Sequence, residues 1–107
     1  MEDFSAIKKA GDLSDLQSSA GNAAELLKTL SHSGRLMILC NLADGEKSVG
    51  ELEEVLDTRQ AAVSQQLARL RKDNLVSFRR DGKTVYYSLS DRRARQVIEL
   101  LYALYCR

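Results

Sequence analysis

The hydrophobic period of this chain changes at one place, and that change limits what it can fold into. Through residues 20–74 apolar side chains recur every three or four positions, whereas from residue 75, in LVSFRRDGKTVYYSLS, they alternate. Val76 and Phe78, then Val85, Tyr87 and Leu89, stand at every second residue, the spacing of half-buried strands. Asp81-Gly82 between the two runs is a favoured hairpin turn. A lone hairpin among helices cannot form a core of its own, so it must lean on them.

The helical part divides further. Residues 4–18 are polar and weakly periodic, and residues 1–19 are expected to form an N-terminal arm or short helix, with the domain proper over 20–107. Ala23, Leu26, Leu27 and Leu30 predict one helix. After SHSG, residues 35–43 predict a second, with Leu36, Leu39, Cys40 and Ala43 on one face and Asp44-Gly45 ending it. Ser48 and Glu51 have the spacing of a capping box, opening a helix that carries Val49, Leu52, Val55 and Leu56. A short polar turn, DTRQ, leads to another helix with Val63, Leu67 and Leu70 on its apolar side. Beyond the hairpin, Ser90 is a candidate cap for a last helix with Val97, Ile98, Leu101 and Leu104 as its stripe. Two helices joined by a tight turn and followed by a hairpin predict a mainly α fold with a β-hairpin wing, a winged helix-turn-helix.

Charge separates along the same lines. Residues 1–58 hold 5 Lys/Arg against 11 Asp/Glu, while residues 59–95 hold 10 against 3. A basic segment that coincides with a helix-turn-helix and its wing is the footprint of a surface that meets phosphates. On the second helix of the pair, Gln60, Ser64 and Gln65 fall opposite the apolar side, and such side chains can bond base edges in a major groove. Arg59, Arg69, Arg71 and Lys72 surround them as candidate phosphate ligands. Arg79, Arg80 and Lys83 cluster at the wing, which can lie along the backbone or enter the minor groove. Double-stranded operator DNA is the expected partner.

Other classes find little here. No apolar run approaches 18 residues and no basic leader precedes an apolar stretch, so no membrane contact is expected and the expected location is the cytoplasm. The chain has no Gly-rich phosphate loop, no CxxC pair, and a single histidine, His32, in an expected turn. No enzymatic activity, catalytic residue, metal or cofactor is expected. The two cysteines, Cys40 and Cys106, are too far apart in sequence for a local motif. Cys40 fits either as a small core hydrophobe or as a sensing thiol, with Arg35 one turn before it as a candidate cationic neighbour. Cys106, near the end of the last helix, is poorly placed for packing.

Three stretches, LLKTLSHSGRLMILCNL, EKSVGELEEVL and AVSQQLARLRKDNLVSFRRDGKTVYYSL, strongly resemble the ArsR family of bacterial winged-helix repressors, over roughly residues 20–106. The resemblance implies a homodimer built on the first and last helices that leaves its operator when an inducer binds. Two departures are Ser33, where the family usually has Pro, and Gln66, where a His is common. At one metal site used by relatives this chain has Ser48, Val49 and Gly50 instead of Cys-Val-Cys; at another it has Asp91 followed by Arg93, Leu104 and Arg107. Neither set supplies the ligands zinc or its thiophilic relatives require. The contexts ILC and LYC resemble the sulfide-responsive subgroup of the BigR and SqrR type, with HlyU-like relatives. That likeness implies that Cys40 and Cys106 form a redox-sensing pair, with small-molecule reactive sulfur species (persulfides or polysulfides) as the inducer. The alternatives are a regulator answering general oxidants through a plain disulfide, an anti-silencing virulence regulator, or one whose cysteines are structural.

Overall fold

A computed structural model describes residues 13–56 and 60–106, the side chains of residues 60 and 61 excepted. The elements run α1 (Leu13–Leu30), α2 (Ser33–Leu42), β1 (Lys47–Ser48), α3 (Val49–Leu56), α4 (Gln60–Lys72), β2 (Val76–Asp81), β3 (Thr84–Leu89) and α5 (Arg92–Tyr105). The predicted order holds, with a two-residue β1 added. The sheet is antiparallel, in the order β1-β3-β2. Helix-turn-helix, wing and flanking helices make a winged helix.

Helix α1 runs unbroken across the boundary drawn at residue 19, starting at Leu13 with Asp15 in its first turn and Lys28 in its last, both complementing the helix dipole. Residues 1–12 of the expected arm lie outside the described residues. Helix α2 begins two residues earlier than predicted. His32 is its N-cap, Nδ1 accepting from the backbone N–H of Gly34 at 3.1 Å and Arg35 at 3.3 Å. Ser33 is the first helical residue, where the backbone N–H has no helical partner and proline is tolerated. The family's proline and this serine therefore serve the same backbone.

The core joins Leu30 of α1, Ile38, Leu39 and Leu42 of α2, Leu52 of α3 and Val63, Leu67 and Leu70 of α4. Leu75, Val76 and Leu89 of the wing root and Ala94 and Ile98 of α5 complete it. The predicted face of α2 needs correction: Ile38, Leu39 and Leu42 are buried, Leu36 and Ala43 pack at the rim, and Cys40 is exposed. Helix α2 is contacted by every other helix, so its buried stripe turns toward their common centre and leaves Cys40 outside. Core filling is thereby excluded for this thiol. On α3, Leu52 is buried while Val55 is 57% exposed.

The turns follow local chemistry. Ser48 Oγ accepts from Glu51 N–H at 3.1 Å and Glu51 Oε1 accepts from Ser48 N–H at 2.9 Å, the reciprocal capping box. Helix α4 ends in a Schellman motif: Asn74 has φ +61°, its N–H donates to Arg71 O, and Leu75 N–H donates to Leu70 O. The last pair of the hairpin is Asp81 with Thr84, so the two turn residues are Gly82-Lys83 rather than Asp81-Gly82. Gly82, at φ +65°, takes the left-handed position such turns require. The cap of α5 is Asp91, not Ser90; its Oδ1 accepts from Ala94 N–H at 2.9 Å, while Ser90 N–H donates to Leu75 O.

Truncating Leu67→Ala is expected to cost about 2–5 kcal/mol, because the side chain is fully buried between helices. Asn74→Ala is expected to cost about 1–2 kcal/mol through its left-handed backbone, and Asn74→Gly to be neutral or stabilising. Urea midpoints of the three variants read both effects.

Candidate nucleic-acid interface and thiol site

Helix α4 buries Val63, Leu67 and Leu70 and turns Ser64 and Gln65 to solvent. The predicted reading face is therefore open at two of its three positions. The side chain of Gln60 and residue Arg59 fall outside the described residues.

A polar clamp holds the rear of α4. Thr29, 3% exposed, donates from Oγ1 to Asp73 Oδ2 at 2.7 Å, and Arg69 Nε donates to the same oxygen at 3.0 Å. These hydrogen bonds, Thr29 first, hold the Asp73 carboxyl below the usual aspartate range, against the opposing effect of burial. Arg35 donates from Nε to Thr29 O at 2.9 Å and from Nη1 to Gln66 Oε1 at 3.2 Å. Gln66, the departure from the family's histidine, thus accepts a bond that ties α4 to α2. Arg35 is committed to this clamp, and among the described residues no cation contributes to the shift at Cys40.

The wing joins α4 through Arg71, whose guanidinium lies 4.1 Å from the Phe78 ring centroid, with Tyr87 beside Phe78 at 5.9 Å. Arg69 and Arg79, both expected to meet phosphate, instead engage carboxylates: Asp73 and Glu46 respectively. Arg80 and Lys83 are exposed and make no ion pair among the described residues.

At the other end of α2, Cys40 borders an open groove of about 320 Å3 lined by Ala43, Asp44, Ile98, Glu99 and Tyr102. Cys106 is the exposed C-cap residue of α5. Desolvation raises the Cys40 pKa, and the charge of Cys106 raises it further, so the two thiols lie within one electrostatic neighbourhood. Arg95 of α5 donates to Ala43 O at 2.8 Å and fixes the end of α2 against α5. Lys47 donates to Asn41 O at 2.9 Å and to Asp44 Oδ1 at 2.7 Å. Among the described residues, no group of three His, Cys, Asp or Glu side chains could hold a metal, and no helix is long and apolar enough to cross a membrane.

Sequence reasoning missed Asp73, Thr29, Glu46 and Arg95. Arg69 and Asp73 carried a visible signal, their i, i+4 spacing. The other pairings join residues far apart in the chain and left none.

A helix-turn-helix with an exposed polar reading face and a basic wing defines a winged-helix DNA-binding regulator. The model of bacterial regulatory proteins of the arsR family matches residues 32–77. A biofilm growth-associated repressor of Agrobacterium fabrum is 50% identical over 91 residues, 85% of this chain and 78% of that protein. The structure of reduced HlyU from Vibrio cholerae N16961 superposes with a TM-score of 0.85 at 45% identity, covering 89% of this chain and all of that one. The transcriptional repressor BigR from Xylella fastidiosa gives 0.82 at 42%, covering 91% and 99%. The chain belongs to the arsR family and is a DNA-binding transcriptional regulator of its BigR- and HlyU-like subgroup.

Asp73→Asn is expected to lower stability at neutral pH by weakening both bonds to the clamp. Because the folded-state pKa is depressed, that contribution is present above the ordinary aspartate range and fades as pH falls through the lower folded value. Urea midpoints of parent and variant should therefore converge on acidification.

Proposed function

We propose that the protein is a cytoplasmic, non-enzymatic homodimeric repressor that releases operator DNA when reactive sulfur species link Cys40 to Cys106. The observation that carries this reading is the groove that Cys40 lines together with Tyr102, whose carbonyl accepts from Cys106 N–H at 2.9 Å, so that residues 66 positions apart in sequence flank one end of α5. Exposure of both thiols and the groove beside Cys40 give a small donor access.

Cys106, exposed at the end of α5, makes the first attack, and burial raises the pKa of the Cys40 thiol that follows. The Cys106 thiolate attacks an internal sulfur of an inorganic hydropolysulfide, retains two sulfurs, and expels a shorter hydropolysulfide anion. The Cys40 thiolate then attacks the inner added sulfur and expels hydrosulfide. A trisulfide results; both thiols are oxidised, and the polysulfide is the oxidant. A plain disulfide needs Cα atoms within about 7 Å, and an added sulfur relaxes that demand. A Cα spacing beyond that limit favours polysulfide over peroxide.

Exposed Leu13, Leu16 and Leu27 on α1 and Leu100, Leu104 and Tyr105 on α5 offer the apolar surface that a second copy would cover. Ser64 and Gln65, with Gln60, read base edges, and Arg80 and Lys83 hold phosphate; Arg69 and Arg79 meet phosphate with part of their charge already offset by a carboxylate. Reading helices of a dimer must sit about 34 Å apart. A bridge at the α2–α5 junction alters that separation, and a coupling of about 1–3 kcal/mol lowers affinity up to about 150-fold.

Cys40→Ser and Cys106→Ser variants are each expected to bind an operator duplex, recovered by selection from a random pool, like the parent. Both are expected to keep it after polysulfide treatment, while the parent lets go and gains a bridging sulfur by intact mass. Variants that respond as the parent does overturn the thiol reading, and ready disulfide formation with peroxide overturns the preference for polysulfide.

A further inference from the structure

Arg79 stands on the outward face of the sheet, in register with Tyr86 on β3, which in turn is in register with Ser48 on β1. Its guanidinium lies 4.6 Å from the Tyr86 ring centroid. Nε donates to both carboxylate oxygens of Glu46, at 3.0 and 3.2 Å, and Nη2 donates to Glu46 Oε1 as well. Glu46 belongs to the turn just ahead of β1, 33 residues away in sequence. The bonds from Arg79 hold the Glu46 carboxyl below its usual range, so it remains anionic wherever the protein binds DNA.

A guanidinium presents a planar fork that carboxylate and phosphate fill in the same way. Here the Nε–Nη2 edge of the fork is already filled. Tyr86 fixes the guanidinium plane, and Glu46 takes its donors edge-on. A phosphate must displace Glu46 to take that edge, and at the Nη1 edge it meets the negative charge of Glu46 close by, whereas the neighbouring Arg80 and Lys83 present no such competitor among the described residues.

We propose that Glu46 is an internal counter-anion of the wing: it keeps Arg79 off the DNA backbone and so limits the sequence-independent share of binding. In a regulator that must leave one site and ignore the rest of a genome, such a limit favours discrimination, because phosphate contacts add equally to every duplex.

The test is the salt dependence of binding by the full chain, on a selected operator duplex and on a scrambled duplex of equal length. Glu46→Gln is expected to steepen the slope of log affinity against log salt by about 0.9 for each wing freed. It should also tighten binding several-fold at low salt on both duplexes, and so reduce the ratio between them. Arg79→Gln should keep the parent's slope, and the double variant should match Arg79→Gln. A flatter slope in Arg79→Gln overturns the proposal, since Arg79 would already neutralise a phosphate. Equal steepening by Glu46→Gln without Arg79 overturns it too, reducing the effect to bulk charge. An unchanged or weakened Glu46→Gln complex does the same. Thermal melting of each variant verifies that the fold is retained.

Discussion

A recognition helix must be pinned on one side and left bare on the other, and the Thr29–Asp73 hydrogen bond is where that requirement is met by one buried hydroxyl. Apolar burial of Val63, Leu67 and Leu70 fixes which side of α4 faces inward, but burial is non-directional at close range and sets the angle only coarsely. Hydrogen bonds supply the missing direction. Thr29 and Arg69 converge on one oxygen of Asp73, and Arg35 reaches from α2 to Gln66, so two polar ties from two different helices set the angle at which Ser64 and Gln65 face outward. The Schellman turn at Asn74 then carries that angle into the wing.

Local patterns made most of the fold legible. The period change at residue 75, the Ser48–Glu51 box and the apolar spacing of α4 each depend on residues a few positions apart. Errors arose where a third element decides. The predicted stripe of α2 differs from the buried one because α2 is surrounded, and which flank faces outward depends on the helices around it; of the two places open to Cys40, that selects the surface. The hairpin turn slipped by one residue because Asp-Gly and Gly-Lys are both good turn pairs, and cross-strand register chose between them. Ser90 and Asp91 were equally good caps by type, and the tie was broken when Leu75 O took the Ser90 N–H.

The candidate sites were legible to differing degrees. Residue type and position relative to the apolar stripe were enough to put Ser64 and Gln65 on an open face. Charge counting was enough to find the basic segment, yet not to tell which cations are spoken for. Arg69 and Arg79 look like Arg80 in the sequence, and only contacts with Asp73 and Glu46 separate them. The influence of Cys106 on the Cys40 thiol had no local signature at all, because it depends on how α5 crosses the end of α2, where Arg95 meets Ala43.

The hydrogen bond from Ser90 to Leu75 has a broader implication. It closes the root of the hairpin, joining the residue that leaves β3 to the one that enters β2, with Leu75, Val76 and Leu89 buried around it. Further out, Arg71 holds Phe78, Glu46 holds Arg79 and β1 pairs with Tyr86 and Tyr87, so only the tip from Arg80 to Val85 lies beyond these ties. Strand residues can be inserted or removed in pairs at that tip without moving the domain beneath, much as a cantilever can be trimmed without disturbing its mounting. Reach along a duplex and orientation of the reading helix can consequently diverge at independent rates among descendants of this fold.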